Sequence, residues 1–260
     1  MSALLETRAL ARSFGAVTAA ADINVTIEAG EIVGVIGSNG AGKTTFINMV
    51  TGYLKPSSGE ILFKGKSIVG KNPRQVMRAG VCRSFQVAQL FPELTVLDNV
   101  LIAHGMVQKG SLSLLRPLVT EQSTRHAEAL LKEYGITDYL GEKVVTLPQG
   151  VRKLLDIALA MLGEPEVLLL DEPTSGVAID DKFDLMDTVM HALQRSGSAV
   201  LFVEHDMEVI ARYSTRLLVF YDGRVLADGP TAEVMRHEKV QEHVTGHHLE
   251  ISENKEASHA

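Results

Sequence analysis

Tryptophan is absent from this 260-residue chain, and cysteine occurs once, at Cys82. A lone cysteine excludes a disulfide framework and fits a reducing compartment. The role expected of it is that of a small buried hydrophobe. Long apolar runs are also missing. The Val-Leu-Leu-Leu stretch at 167–170 falls far short of the roughly 20 residues needed to cross a bilayer. The opening Met-Ser-Ala-Leu-Leu-Glu-Thr-Arg has no apolar core of the kind a secretory signal needs. The expectation is a soluble protein, with any membrane-spanning part supplied by another chain. Basic charge is in deficit, with 25 Lys and Arg against 32 Asp and Glu and a formal charge of −7. That balance argues against nucleic acid as the main ligand. No internal repeat and no sustained heptad pattern is visible. The length suits one domain with an appended subdomain better than two equal domains.

The most informative stretch that is present is Gly37-Ser38-Asn39-Gly40-Ala41-Gly42-Lys43-Thr44-Thr45, a complete G-x-x-x-x-G-K-[ST] phosphate loop. The β-branched segment 31–36 before it reads as a buried strand, and 45–50 after it suits a helix. In that frame the glycines let successive N–H groups turn inward on a phosphate, and the helix N-terminus adds its positive end. Lys43 is expected to reach the β- and γ-phosphates of ATP, and the Thr44 hydroxyl to sit on Mg²⁺.

Around this motif the residues read as an α/β protein. Alternating segments at 4–10 and 23–27 predict antiparallel strands with a turn near Gly15, and 59–65 predicts another strand. A short helix is expected near 73–78 and a strand over 81–85. From 95 to about 133 apolar residues recur at helical spacing, including Ala127, Leu130, Leu131 and Tyr134. This part is interrupted near Gly110 and Pro117 and reads as an inserted helical subdomain. Helices are expected over 151–162, over 181–193 and from Met207, with strands at 167–170 and 199–203. Segments 217–220 and 224–227 flank Asp222-Gly223, a hairpin turn signal. Strands alternating with helices around an apolar parallel sheet define the architecture. The last residues, 253–260, are polar and expected to be disordered.

Three further sites carry chemistry. The strand 168–170 ends in Asp171-Glu172, and strand C-termini in a parallel sheet face the ligand crevice. Asp171 there can hold Mg²⁺. Glu172 is placed to take a proton from water attacking the γ-phosphate. The plain alternative is a helix-capping carboxylate with a solvated neighbour. His205 follows the strand 199–203 on the same crevice side, where an imidazole can orient Glu172 and the water. A structural histidine is the alternative. Gln86 directly follows the strand 81–85, and its amide can contact Mg²⁺ and the attacking water together. An ordinary polar loop residue would look the same.

These elements, in this order, resemble the ATP-binding-cassette ATPase superfamily over residues 4–240. The markers are the phosphate loop, Gln86, Leu147-Pro148-Gln149-Gly150-Val151 at the superfamily signature, Asp171-Glu172-Pro173-Thr174-Ser175 and His205. The resemblance implies a RecA-like P-loop core with an antiparallel β subdomain and a helical subdomain inserted at about 92–163. The ATPase domain would cover 4–245, followed by a polar tail at 246–260. It implies that Phe14 stacks the adenine, a core phenylalanine being the alternative, and that Pro148, Gln149 and Gly150 close the nucleotide of an opposite subunit. Arg83-Ser84-Phe85-Gln86, the stretch 90–99, Val203 to Met207 and the ending at 226–234 look like ATPases of branched-chain amino acid importers. What that implies is a second cassette subunit, identical or related, integral membrane permease subunits, and indirectly a solute-binding protein, with no nucleic acid. The expected location is the cytoplasmic face of the membrane, as a peripheral subunit. Lipid or lipopolysaccharide exporters, soluble non-transport cassette ATPases and a small-molecule kinase are the alternatives. The segment 87–99, with Leu90, Phe91, Leu94 and Val96, would form a groove for a permease helix, or else pack into the core.

The signature departs from the family pattern. Its usual serine is Pro148, which has neither a hydroxyl nor an N–H, although proline suits a helix's first turn. Leu154 and Leu159 stand where arginines are common, and Ala178 where an aspartate is common, with Asp180 and Asp181 nearby. The resemblance then implies slower or more strictly partner-dependent hydrolysis. Pro148→Ser is expected to raise ATP turnover of the assembled complex, and unchanged turnover rejects this account of the turn.

Overall fold

The computed structural model describes residues 3–84, 90–107 and 119–245. Strands β1 (Leu5–Phe14) and β2 (Val17–Ile27) form a hairpin around Gly15, whose φ of +60° suits glycine. Both strands run longer than their alternating segments suggested, because β1 bends at irregular register steps between Thr7 and Ser13 instead of ending at Leu10. A third strand, β4 (Ser58–Phe63), pairs antiparallel with β1, and the two-residue β5 (Lys66–Ser67) completes this sheet.

The larger sheet is built on β3 (Ile32–Gly37), which feeds the phosphate loop and helix α1 (Lys43–Val50). After α2 (Pro73–Ala79), capped by Asn72, comes β6 (Val81–Arg83). Between β6 and the next strand the described chain is mainly helical. It holds α3 (Val96–Val107), α4 (Glu121–Glu133) and α5 (Gln149–Met161). Thr120 and Ser123 cap α4 reciprocally, which explains its sharp start. Then follow β7 (Val167–Asp171), α6 (Lys182–Ser196), β8 (Ala199–Val203) and α7 (Met207–Tyr213). Strands β9 (Arg216–Tyr221) and β10 (Arg224–Pro230) turn at Asp222-Gly223. Both turn residues have positive φ, 46° and 73°, as a two-residue hairpin of this hand requires. The short helices α8 (Thr231–Val234) and α9 (Glu238–Val240) follow.

Strand order in this sheet is β10-β9-β3-β8-β7-β6, parallel except for β10. Its strands are apolar throughout because both faces are covered. Val33, Val35, Leu169, Leu201 and Phe220 point toward α1 and the antiparallel sheet. Leu168, Leu170, Val200, Phe202 and Val219 point the other way, into a second core shared with α3 to α7. Cys82 lies in that second core, and burial pushes its thiol up to about 11, so it is the inert hydrophobe expected.

The consequence for function is positional. β3, β8 and β7 are adjacent, and the phosphate loop, His205 and Asp171-Glu172 leave them at their C-terminal ends. Among the described residues no helix is long and apolar enough to cross a membrane. Phe46 of α1 anchors the loop from below. It is fully buried, with its ring centroid 5.4 Å from that of Phe220. Phe46→Ala should lower stability by about 3–5 kcal/mol, read from urea unfolding midpoints, because the cavity opens under a rigid sheet. A loss under about 1 kcal/mol would contradict this packing.

Candidate active site

The phosphate loop can lie where it does only with bare backbone. A Cβ on Gly37 would stand 2.3 Å from the Phe220 carbonyl oxygen, and one on Gly42 2.7 Å from that of Ala19. Gly42 also has φ +101° and caps α1 without any side-chain bond, so the first N–H groups of that helix are free to face an anion. Gly223 N–H donates to Ala41 O (3.1 Å), and Ala21 N–H donates to Gly223 O (2.8 Å). The β9–β10 turn thereby ties the loop to the antiparallel sheet. Ser38, Asn39, Gly40 and Thr44 are exposed, Thr45 is half-buried and Ala41 is buried.

Lys43 is buried, and its ammonium donates to Gly37 O (2.5 Å) and Ser38 O (3.1 Å). Burial lowers its pKa, while the carboxylates of Glu172 and Asp171 pull it back up. An arriving phosphate meets a cation already half satisfied by its own loop.

Asp171 lies at the end of β7 and accepts from Arg83 Nη2 at 2.5 Å, each side chain only 9% exposed. Arg83 Nη1 donates to Asn48 Oδ1 (2.6 Å). This triangle joins β6, β7 and α1. Glu172 has φ +49°, rare for a residue with a side chain. Its N–H donates to Val203 O (3.0 Å), and its carbonyl accepts from Ser175 N (3.1 Å). Its Oε1 lies 3.0 Å from His205 Nε2. Asn39 to Thr45, Asp171, Glu172, Val203 and His205 line one cleft of about 150 Å³.

That volume is small beside the roughly 300–1,000 Å³ of pockets that enclose a ligand. It suits phosphates held on an open surface. Two larger clefts, about 680 and 830 Å³, are lined mainly by α4, α6 and the loops beside them and include no phosphate-loop residue. Size does not mark the site; donor chemistry does. The oxygen donors at the small cleft, the exposed Thr44 hydroxyl and the Asp171 carboxylate, have the hard character Mg²⁺ requires. No group of three or more His, Cys, Asp or Glu able to hold an ion occurs among the described residues. Phosphate oxygens and water would have to complete its shell.

Other sites read from the sequence lie apart. Phe14, at the end of β1, is 48% exposed, with the Arg12 guanidinium 4.6 Å from its ring centre. Pro148 is the N-cap of α5, one position before the first turn where proline was expected, with φ −56° and ψ 151°. It can stand there because its carbonyl, not its nitrogen, is used, by Arg152 N (3.1 Å). The signature turn lines no part of the chain's own phosphate cleft, and Pro148 and Gln149 are exposed. Gln86 lies outside the described residues. Of the segment 87–99, Val96 is buried in the core, Leu90 packs partly against it, and Phe91 and Leu94 are exposed.

Sequence reasoning missed several neighbours. Lys153, buried on α5, donates to Glu172 O (3.0 Å). Glu204, also buried, accepts from Thr174 N (2.8 Å) and Thr174 Oγ1 (2.7 Å), and from His205 N (3.2 Å). The available signals were slight: a carboxylate directly after the apolar β8, and Lys153 and Asp156 three residues apart on α5, both buried.

A family model described as ABC transporter matches residues 20–175, more than half of the chain. The chain belongs to the ABC transporter family. As an ATP-binding cassette it binds ATP and hydrolyses it in the service of transport. The cassette is 34% identical over 240 residues to the high-affinity branched-chain amino acid transport ATP-binding protein LivG of Escherichia coli, covering 89% of this chain and 93% of that one. BraF of Pseudomonas aeruginosa, with the same description, is 33% identical over 89% of the chain and 93% of its own length. A solved ATP-binding cassette of an ABC transporter in its ADP conformation superposes with a TM-score of 0.83. It is 30% identical, and the match covers 93% of this chain and 98% of that one. The antiparallel sheet beside a mixed RecA-like sheet is therefore the cassette fold.

The Arg83–Asp171 pair gives a direct test. Arg83→Met leaves Asp171 buried beside a lost cation and should cost about 3–5 kcal/mol in urea unfolding. Adding Asp171→Asn should recover part of that loss. An Arg83→Met chain as stable as the parent would contradict the pairing.

Proposed function

We propose that this cassette is the motor subunit of an importer for branched-chain amino acids or related small polar solutes. Similarity to LivG and BraF along nine-tenths of the chain carries that reading. In this reading residues 4–245 are the ATPase unit, with a helical insert at about 92–163 and a tail at 246–260, a segment outside the described residues. The chain works at the cytoplasmic face of the membrane as a peripheral subunit.

ATP lays its phosphates along Gly37 to Thr45, and the exposed Phe14 stacks the adenine. Lys43 keeps one N–H for the β- and γ-phosphates while two hold the loop carbonyls. Thr44 and Asp171 would hold Mg²⁺, which when bound neutralises charge on the phosphates. Gln86 would serve the ion and the water. Glu172 is the general base, and His205, 3.0 Å from its Oε1, keeps the carboxylate turned toward the γ-phosphate. With the carboxylate held, water attacks phosphorus in line, its proton passes to Glu172, and the β–γ bridging bond breaks to leave ADP and phosphate.

The open cleft supports a site completed from outside. The turn Pro148 to Gly150 of a second cassette, identical or related, its first two residues exposed, closes over the nucleotide with the N–H groups that begin α5. Closing around ATP favours the paired state and so biases the permease. Exposed Phe91 and Leu94 form the contact for a permease helix. A solute-binding protein acts indirectly, and nucleic acid takes no part.

Glu172→Gln should bind ATP with near-parental affinity, lose at least about a hundredfold in kcat and accumulate as an ATP-loaded pair on size exclusion. Unimpaired hydrolysis removes Glu172 from its role. For the solute, reconstitution with the permease subunits should give ATP-dependent uptake of labelled leucine, and uptake of unrelated solutes only would reject that substrate class.

A further inference from the structure

Lys153 is a buried lysine whose position no nucleotide contact explains. It is 3% exposed, on the first turns of α5, and does not itself line the phosphate cleft. An ammonium is costly to bury, and packing alone would be better served by methionine or leucine. Asp156, Glu204, Glu172 and Asp171 surround it closely enough to offset part of that cost. Its Nζ donates to the Glu172 carbonyl at 3.0 Å.

That carbonyl belongs to the residue with the least comfortable backbone at the site. A glutamate at φ +49° persists only where its surroundings over-determine it. Three bonds do so: Glu172 N to Val203 O, Ser175 N to Glu172 O and Lys153 Nζ to Glu172 O. The first two come from β8 and from the turn that follows Glu172. Only the third comes from the helix that begins at the signature turn. That helix also lies against the segment after Glu172, since a Cβ on Gly176 would sit 3.5 Å from Gln149 Cγ.

We propose that Lys153 is a positioning residue for ATP hydrolysis, clamping the strained Glu172 peptide so that the carboxylate faces the cleft and its 3.0 Å histidine partner. A displacement of α5, such as contact at Pro148 to Gly150 would produce, then reaches the base through this hydrogen bond. The inference rests on the reading of Glu172 as general base.

The test uses the purified full-length chain, with ATPase kinetics and equilibrium binding of a non-hydrolysable ATP analogue. Lys153→Met should lower kcat at least about tenfold while KM and analogue affinity stay within about twofold. Lys153→Arg, which keeps a charged donor, should restore most of the loss. On a Glu172→Gln background Lys153→Met should lower kcat no further, because both act through one group. Parental kcat in Lys153→Met overturns the proposal. So does a kcat loss accompanied by lost analogue binding and no rescue by arginine, which would make the ammonium a packing element. If Lys153→Met fails to fold, Lys153→Gln is judged on the same two readouts. A Glu172→Gln chain that hydrolyses like the parent sinks the base assignment itself, an outcome separate from any result at Lys153.

Discussion

The register of three neighbouring parallel strands positions everything at the cleft. Asp171 stands opposite Val203, and Val203 stands opposite Val35, two residues before the phosphate loop begins at Gly37. With strands about 4.8 Å apart, the loop, the histidine turn and the two carboxylates emerge side by side. A slip of one residue would turn Asp171 and every core side chain of β7 to the opposite face. Burial on both sides of the sheet resists such a slip, so core packing and active-site geometry are one constraint.

Charge at the site follows from that burial. Lys43, Arg83 and Lys153 bring three cations to Asp171, Glu172 and the backbone around them, in surroundings with little water. Such sets are expensive to desolvate and hold their geometry once assembled. The loop ammonium holds the carbonyls of Gly37 and Ser38, the guanidinium ties the β7 aspartate to β6 and α1, and the α5 ammonium reaches the glutamate's carbonyl. Glu172 can then sit in a conformation it would not keep alone, because neighbours on several sides hold it there.

The same arrangement explains why the cleft is small and open. A cassette that enclosed its own nucleotide would have nothing to gain from a partner. Here the loop offers one wall, and the signature turn that begins α5, exposed at Pro148 and Gln149, lines no part of that cleft. Free energy of nucleotide binding can be converted into association only if part of the site belongs to another molecule.

Much of this was legible in one dimension. The phosphate loop, the hairpin at Asp222-Gly223, the apolar strands ending in Asp171-Glu172 and in His205, and the α/β class all rest on local spacing, which residue order states directly. Partnerships across the fold are another matter. Arg83 meets Asp171 over 88 residues, Thr174 meets Glu204 over 30, and Lys153 meets Glu172 over 19. No periodicity encodes such pairs; they arise when separate strands and a helix pack to one register. Nor could residue order show that β1 continues to Phe14, or that Pro148 caps α5 from outside its first turn, since both depend on what packs alongside. The sequence by itself determined the chemistry on offer, and tertiary structure decided which groups face one another, because buried charges choose their partners by proximity in space.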